Sequence, residues 1–322
     1  MTHIARIVSI FVACACVAGA ALAQKYPTRS IRIIVPQPPG DPCDTFGRLL
    51  GQHMSERLGQ PLVVDNRPGA SGTIGLALAA KAPADGYTFA CGQGGNMSVI
   101  PHTMKNVPFD ALKDFQPVAL IATNYLALVA SPSTPYKTVA EFVKYLKANP
   151  GKVSFASNGE GAFVHMATEL FRSFVGFEYV HVPFKGVSPI AGEIMAGRVD
   201  ASFGSFTSWY PFVQTGRVKL LGIAKPTRAA NYPDLPTVAE AVPGFSSGGW
   251  FGFVAPAGVP KEIIAVLNRE ANAAMKRPDV KAKLEALGLE LWDQSPEYFG
   301  KLLKSEYEKY GKVARDIKLV PK

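Results

Sequence analysis

Apolar and polar positions along this chain alternate between two rhythms. Short runs rich in Val, Ile and Phe are separated by longer stretches whose apolar residues recur at helical spacing. Residues 31–35 read as a buried strand and 44–58 as the helix after it. A strand over 61–65, a helix over 73–81 and a short strand over 87–90 follow, the last ended by Gly92 and Gly94-Gly95. Two apolar runs, 118–122 and 126–130, come next with only a brief polar break.

A second unit then begins. Thr138 and Glu141 have capping-box spacing ahead of a helix to about residue 147. Strands are expected over 153–156, 179–182, 199–203 and 220–224, with helices over 161–174 and 187–196. A proline-rich passage, 226–243, leads to another strand at 250–255. The remainder reads as helices over 260–275, 279–286 and 296–315, the last opened by Ser295 as N-cap with Pro296 in its first turn.

Strand–helix alternation with short links predicts an α/β protein with mostly parallel sheets flanked by helices. The helical tail after residue 255 has no sheet of its own and must pack on an existing one. Two lobes satisfy this if the second is inserted into the first. The first lobe is then 24–124 with 249–322 and the second 125–248, with two hinge crossings near 123–126 and 225–249. Closure about such crossings would place a ligand in the cleft, beyond the carboxyl ends of the strands.

A basic stretch ending at Arg6, an apolar run over 7–17 and the small-residue pattern Ala21-Leu22-Ala23 read as a signal peptide cleaved after Ala23. Removing that leader with its single basic residue leaves 33 basic against 25 acidic side chains, a net charge of +8. The charges are scattered without aromatic interleaving, which disfavours a nucleic-acid partner and suits a small anion. Cys43 and Cys91 remain after processing; both are expected at one rim of the sheet, and the sequence leaves their pairing open. No metal-ligand spacing occurs, and His53, His102, His165 and His181 are far apart, so neither a metal nor a cofactor is expected.

Several motifs carry a family resemblance. Val35-Pro36-Gln37-Pro38-Pro39-Gly40 with Asp44, Asn66-Arg67-Pro68-Gly69-Ala70-Ser71-Gly72, Ala84-Asp85-Gly86-Tyr87 and His181-Val182-Pro183-Phe184-Lys185-Gly186 lie in the first two thirds. Leu235-Pro236-Thr237-Val238-Ala239-Glu240 and Ala255-Pro256-Ala257-Gly258 extend the series. Together they resemble the tripartite tricarboxylate transporter solute receptors, the Bug family, over essentially the whole mature chain. The resemblance implies a periplasmic receptor of two-lobed, Venus-flytrap periplasmic-binding-protein fold. It implies a small organic acid as ligand and membrane transporter subunits, or a sensor kinase, as partner. A monomer is expected.

The loops agree with an anionic ligand. Gly40 lies between a strand and a helix, so backbone N–H groups there could face an anion, and Asn158-Gly159-Glu160-Gly161 repeats the arrangement in the other lobe. The bland alternative is that these glycines only make turns. After Pro-Pro-Gly the family continues with small residues, whereas this chain has Asp41-Pro42-Cys43. Asp41 would repel an adjacent anion unless it points away. Asp44 reads as a cap. Phe46, Phe163, Phe206 and Trp209 fall at cleft loops, which suggests a flat aromatic acid, with core packing as the competing role. His165 would tie its loop or donate to the ligand, Lys185 attract an anion or sit in solvent, and Ser205, Thr207 and Ser208 bind or cap. Gln37, Ser71, Gln93, Gly94, Ala162 and Phe184 complete the expected ligand contacts.

An exported enzyme is the rival class. No G-x-S-x-G occurs, Ser71 lacks the elbow spacing, and Gly159-x-Gly161 lacks the third glycine of a dinucleotide loop. A binding protein without catalytic residues is expected.

Overall fold

Residues Ile31–Val35 are almost all apolar because they form β1, an interior strand with parallel neighbours on both sides. The computed structural model describes residues 26–184, 188–229, 232–319 and 321; the expected leader and Lys185 lie outside them. β1 pairs with β2 (Leu62–Asn66) and β3 (Thr88–Gln93). Between β1 and β2 runs α1 (Pro42–Leu58), capped by Asp41 and ended by Gly59 in the left-handed conformation. Its stripe Phe46, Leu50 and Met54 is fully buried on the sheet. After β2 comes α2 (Thr73–Ala80). A wide turn over Gly95–Val99 and a single helical turn, α3 (Ile100–Thr103), follow β3.

The two apolar runs expected at 118–122 and 126–130 are one strand, β4 (Phe115–Ala130). Its residues from Phe115 to Tyr125 pair antiparallel with β9 (Gly248–Pro256), which also pairs with β3. From Leu126 onward it pairs with β7 (Ala201–Ser205) and, on its other edge from Ala127, with β8 (Lys219–Ile223). The polar break therefore marks a change of partners within a continuous strand. Asn124 stands so close to Gly249 that a Cβ there would lie 2.2 Å from its Oδ1, so any side chain at 249 would displace the Asn124 amide. The chain leaves along β4 and returns along β9, which makes these crossing strands antiparallel while the outer strands of each lobe stay parallel.

The second lobe holds α4 (Val139–Ala148), β5 (Ser154–Ser157), α5 (Phe163–Val175), β6 (Val180–Pro183), α6 (Ser188–Met195) and α7 (Phe206–Gln214). β5 lies parallel between β6 and β7. Thr138 and Glu141 form the full reciprocal capping box at α4. After β9 come α8 (Lys261–Met275), α9 (Pro278–Ala286), β10 (Glu290–Leu291) and α10 (Pro296–Asp316). The two-residue β10 pairs with β4 at Ala122 and Thr123, an element the hydrophobic pattern does not announce.

Each lobe has its own apolar core. Phe46, Phe89 and Phe253 lie in one, and Phe142, Phe171 and Phe203 in the other. The sequence places the C-terminal helix wholly with the first lobe. Phe299 and Leu303 of α10 do pack there, but Tyr310, Val313 and Ala314 join the second lobe's core. At 1.5 Å rise per residue a helix of this length reaches across both lobes.

Candidate ligand-binding site

The loop between β1 and α1 is closed by its own carboxylates. Asp41 turns back to accept the Cys43 N–H at 3.0 Å, and Gly40 donates its N–H to Asp44 Oδ2 at 3.0 Å. Buried Asp44 also accepts from Arg48 and from Asn66 Nδ2, whose amide in turn donates to the Gln37 carbonyl. Burial alone would raise the Asp44 pKa, but the Arg48, Gly40 and Asn66 hydrogen bonds outweigh it and hold the carboxyl below its usual range. Asp41 goes the other way. Burial raises its pKa, the Cys43 N–H opposes the shift, and the Asp44 charge adds to it. The expectation that the Gly40 N–H and the start of α1 face an anion is corrected: those donors already have partners within the loop. Cys43 and Cys91 are disulfide-bonded, with Cα atoms 5.7 Å apart, which ties α1 to β3.

The matching loop of the second lobe, between β5 and α5, is closed by neutral groups. Gly159 N–H donates to Ser157 Oγ at 3.2 Å, and Ser157 Oγ is 2.7 Å from His181 Nε2. Gly161, at φ +71°, donates its N–H to His165 Nδ1 at 2.9 Å. That bond puts the His165 proton on Nε2, 3.7 Å from Glu169 Oε1. Glu169 also accepts from Tyr179 at 2.5 Å and Arg172 at 2.7 Å. Burial would raise its pKa, yet His165 beside it and the Tyr179 and Arg172 hydrogen bonds bring it down to about 2. His181 stacks on His165 at 4.0 Å; burial first, and then the neighbouring His165 imidazole, lower its pKa to about 4. His165 is thus a loop tie.

Between the two loops lies a cavity of about 380 Å³. It brings together Gln37, Ser71 and Gln93 from the first lobe with Asn158, Ala162 and Phe163 from the second. Ser71 is held at φ +56°, an uncommon conformation for a residue with a side chain. Asn96, from the wide turn after β3, also lines the cavity and is missing from the sequence expectations. Its only signal there is a lone amide in a glycine-rich strand exit. Among the described residues, none that lines it carries a charge. Gln37 Nε2 and Oε1, Asn96 Nδ2 and Asn158 Oδ1 are buried without a hydrogen-bond partner among the described residues. A larger hollow, about 530 Å³, lies beside Lys147, Arg172 and Asp316, away from both loops.

The other expected contacts lie elsewhere. Phe46 is fully buried against Phe251, and Phe206 and Trp209 are 2 % exposed in the second lobe's core; Phe206 packs on Tyr210 and Tyr232. Three of the four aromatics are therefore core, because each sits on the sheet-facing stripe of its helix. Phe163 alone reaches the cavity, with its ring against Tyr310. Gly40, Asp41, Asp44, Gly161 and His165 build loops and do not line the cavity. Gly94 stands against the Trp250 indole, and Phe184 packs on the second lobe's core. Ser205 Oγ and Thr207 Oγ1 are 3.0 Å apart and serve each other. Among the described residues no cluster of His, Cys, Asp or Glu is placed to hold a metal, and no helix is long and apolar enough to cross a membrane.

Two α/β lobes joined at shared strands, with a polar cavity between their loops, define a solute-binding receptor of periplasmic-binding-protein fold. Residues 46–319 match the model of the tripartite tricarboxylate transporter family receptor, and the chain belongs to that family. Its members are binding proteins and not enzymes. The chain is 38% identical over 296 residues to the UPF0065 protein in the tcbD-tcbE intergenic region of Pseudomonas sp. (strain P51), covering 91% of this chain and 88% of that one. Among solved structures, R. palustris Rpa4515 with adipate superposes with a TM-score of 0.75 at 32% identity, covering 92% of this chain and 100% of the other. MatC (Rpa3494) from Rhodopseudomonas palustris with bound malate gives 0.71 at 31% identity, covering 90% and 100%.

Proposed function

We propose that this receptor captures a small organic carboxylate in the cleft between the 36–41 and 157–162 loops and delivers it to a tripartite tricarboxylate-type membrane transporter. The observation that carries the reading is the 380 Å³ cavity walled from both lobes by neutral hydrogen-bonding side chains. Such donors, shielded from water, hold an anion through charge-assisted hydrogen bonds without a cationic partner. Adipate and malate in the two R. palustris proteins support the same ligand class. The chain's excess positive charge draws anions toward the protein. Contacts from both lobes would draw them together about 123–126 and 225–249.

An aromatic acid is the second reading, and Phe163 on the cavity wall is what favours it. A thermal-shift panel of succinate, adipate, malate, benzoate and phthalate tests both. A true ligand at 100 times its Kd adds about 2.7 kcal/mol of stability. No shift with any acid would remove the carboxylate reading. Phe163→Ala should weaken an aromatic acid by more than about 1 kcal/mol through lost burial and stacking. Tight aliphatic binding that ignores this substitution ends the aromatic alternative.

A further inference from the structure

The polar wall of the cavity has a composition that narrows the ligand further. Gln37 is 7 % exposed and Asn96 1 %, so both amides are withdrawn from water. Asn96 is oriented by its own Oδ1, which accepts the Gln93 N–H at 3.0 Å and leaves Nδ2 as an unpartnered donor. Gly72, at φ +92°, has no side chain to fill the space beside them. A Cβ there would lie 2.8 Å from Asn96 Nδ2 and 3.4 Å from Gln37 Nε2. Two N–H₂ groups thus flank one region of the wall. Gln37 Oε1 and, from the opposite lobe, Asn158 Oδ1 add unpartnered acceptors to the same cavity.

Burying unpartnered polar groups is unfavourable, so a closed cleft favours a ligand group that satisfies both kinds. A carboxylate or ketone only accepts; it would use the donors and leave the acceptors unpaired. An ammonium only donates and does the reverse. A hydroxyl accepts and donates at one oxygen. We propose that Gln37 and Asn96, faced by Asn158 across the cleft, form a subsite for a ligand hydroxyl, and that the captured acid is a hydroxycarboxylate. This rests on the carboxylate-receptor reading above and adds a specificity determinant to it.

Titration calorimetry on matched acids tests it: malate against succinate, lactate against propionate, and 4-hydroxybenzoate against benzoate. In the pair that fits the cavity, the hydroxylated acid should bind about tenfold or more tightly, because the acid lacking the hydroxyl leaves buried amides unpaired. Gln37→Met, similar in length and apolar, should cut that preference to about threefold or less with an unchanged melting curve. Asn96→Asp keeps the acceptor for the Gln93 N–H while removing the donor. It should likewise lose the preference, and it serves if Gln37→Met folds poorly. Equal binding within every pair, or a full preference retained in folded Gln37→Met, overturns the subsite and leaves the receptor reading intact. Succinamate binding more tightly than malate would reassign the subsite to an amide and overturn the hydroxyl. If no acid of any pair binds, the receptor reading fails and the subsite with it.

Discussion

The loop of the first lobe closes its backbone with carboxylates and a covalent staple, and the loop of the second closes with imidazole and hydroxyl groups. In the first, Asp41 and Asp44 take the N–H groups of Cys43 and Gly40, and the disulfide fixes the helix behind them. In the second, Ser157 and His165 take the N–H groups of Gly159 and Gly161, and the Glu169 carboxylate stands one imidazole further back. Both loops satisfy these N–H groups internally. In the proposed reading, recognition falls to side-chain amides and to the shape of the cavity. The difference lies in what would loosen each lobe: loss of a covalent bond in one, protonation in the other.

The largest expected effect breaks the first lobe. Cys43 and Cys91 enclose a loop with a sequence separation of 48, and loop-closure entropy for that length corresponds to about 4 kcal/mol. Cys43→Ala with Cys91→Ala should lower unfolding stability in urea by roughly that amount. A loss under about 1 kcal/mol would show that the acid network alone holds the loop.

Protonation should loosen the second lobe first. Glu169 has a folded-state pKa of about 2 against 4.5 for the ordinary carboxyl, so on acidification the unfolded chain takes up the proton before the fold does. Its contribution is complete above about pH 4.5 and is lost as pH falls toward 2. Glu169→Gln should therefore cost on the order of 2–3 kcal/mol at pH 7 and nothing below about pH 2. His181 adds to the acid sensitivity at higher pH. It stays neutral in the fold down to about pH 4, while its unfolded imidazole protonates near 6.5, so stability falls as pH drops through that window. Urea titrations at stepped pH would show both effects; a pH-independent loss in Glu169→Gln would mean the side chain acts by packing alone.

Much of this comparison was readable from residues. Periodicity located the main strands and helices, and both the Thr138–Glu141 capping box and the Ser295 cap stand as the spacing implies. β10 was not legible, because two residues become a strand only through pairing with β4. The aromatics show where local reading stops. Phe46 and Phe163 both fall in an early helix turn after a glycine loop, and both continue at i+4 and i+8 into buried apolar residues, Leu50 and Met54 in one helix and Ala167 and Phe171 in the other. The spacing alone therefore does not separate the core ring from the one on the cavity wall. Asn96 needed the fold, since the wide turn that aims it is set by the closure of Gly95–Val99.

The smallest effect concerns Asp41, where the first lobe departs from the small residues of its family. Two influences oppose each other there. The start of α1 favours a negative charge by roughly 0.3–1 kcal/mol. Burial and the neighbouring Asp44 disfavour it, and the raised pKa shows that these prevail. Asparagine keeps an acceptor for the Cys43 N–H and caps a helix about as well as aspartate. Asp41→Asn should therefore leave stability at pH 7 unchanged or raised by a few tenths of a kcal/mol. Removing this charge takes away a solvent-screened repulsion of the bound anion, so carboxylate affinity should rise by no more than about twofold at low salt and lose that gain in high salt. Calorimetry at two ionic strengths separates this from a structural effect, which would persist in salt. A destabilisation above about 1 kcal/mol would mean that the helix end needs the charge, and that the first lobe holds its loop by ionic capping rather than by hydrogen bonding.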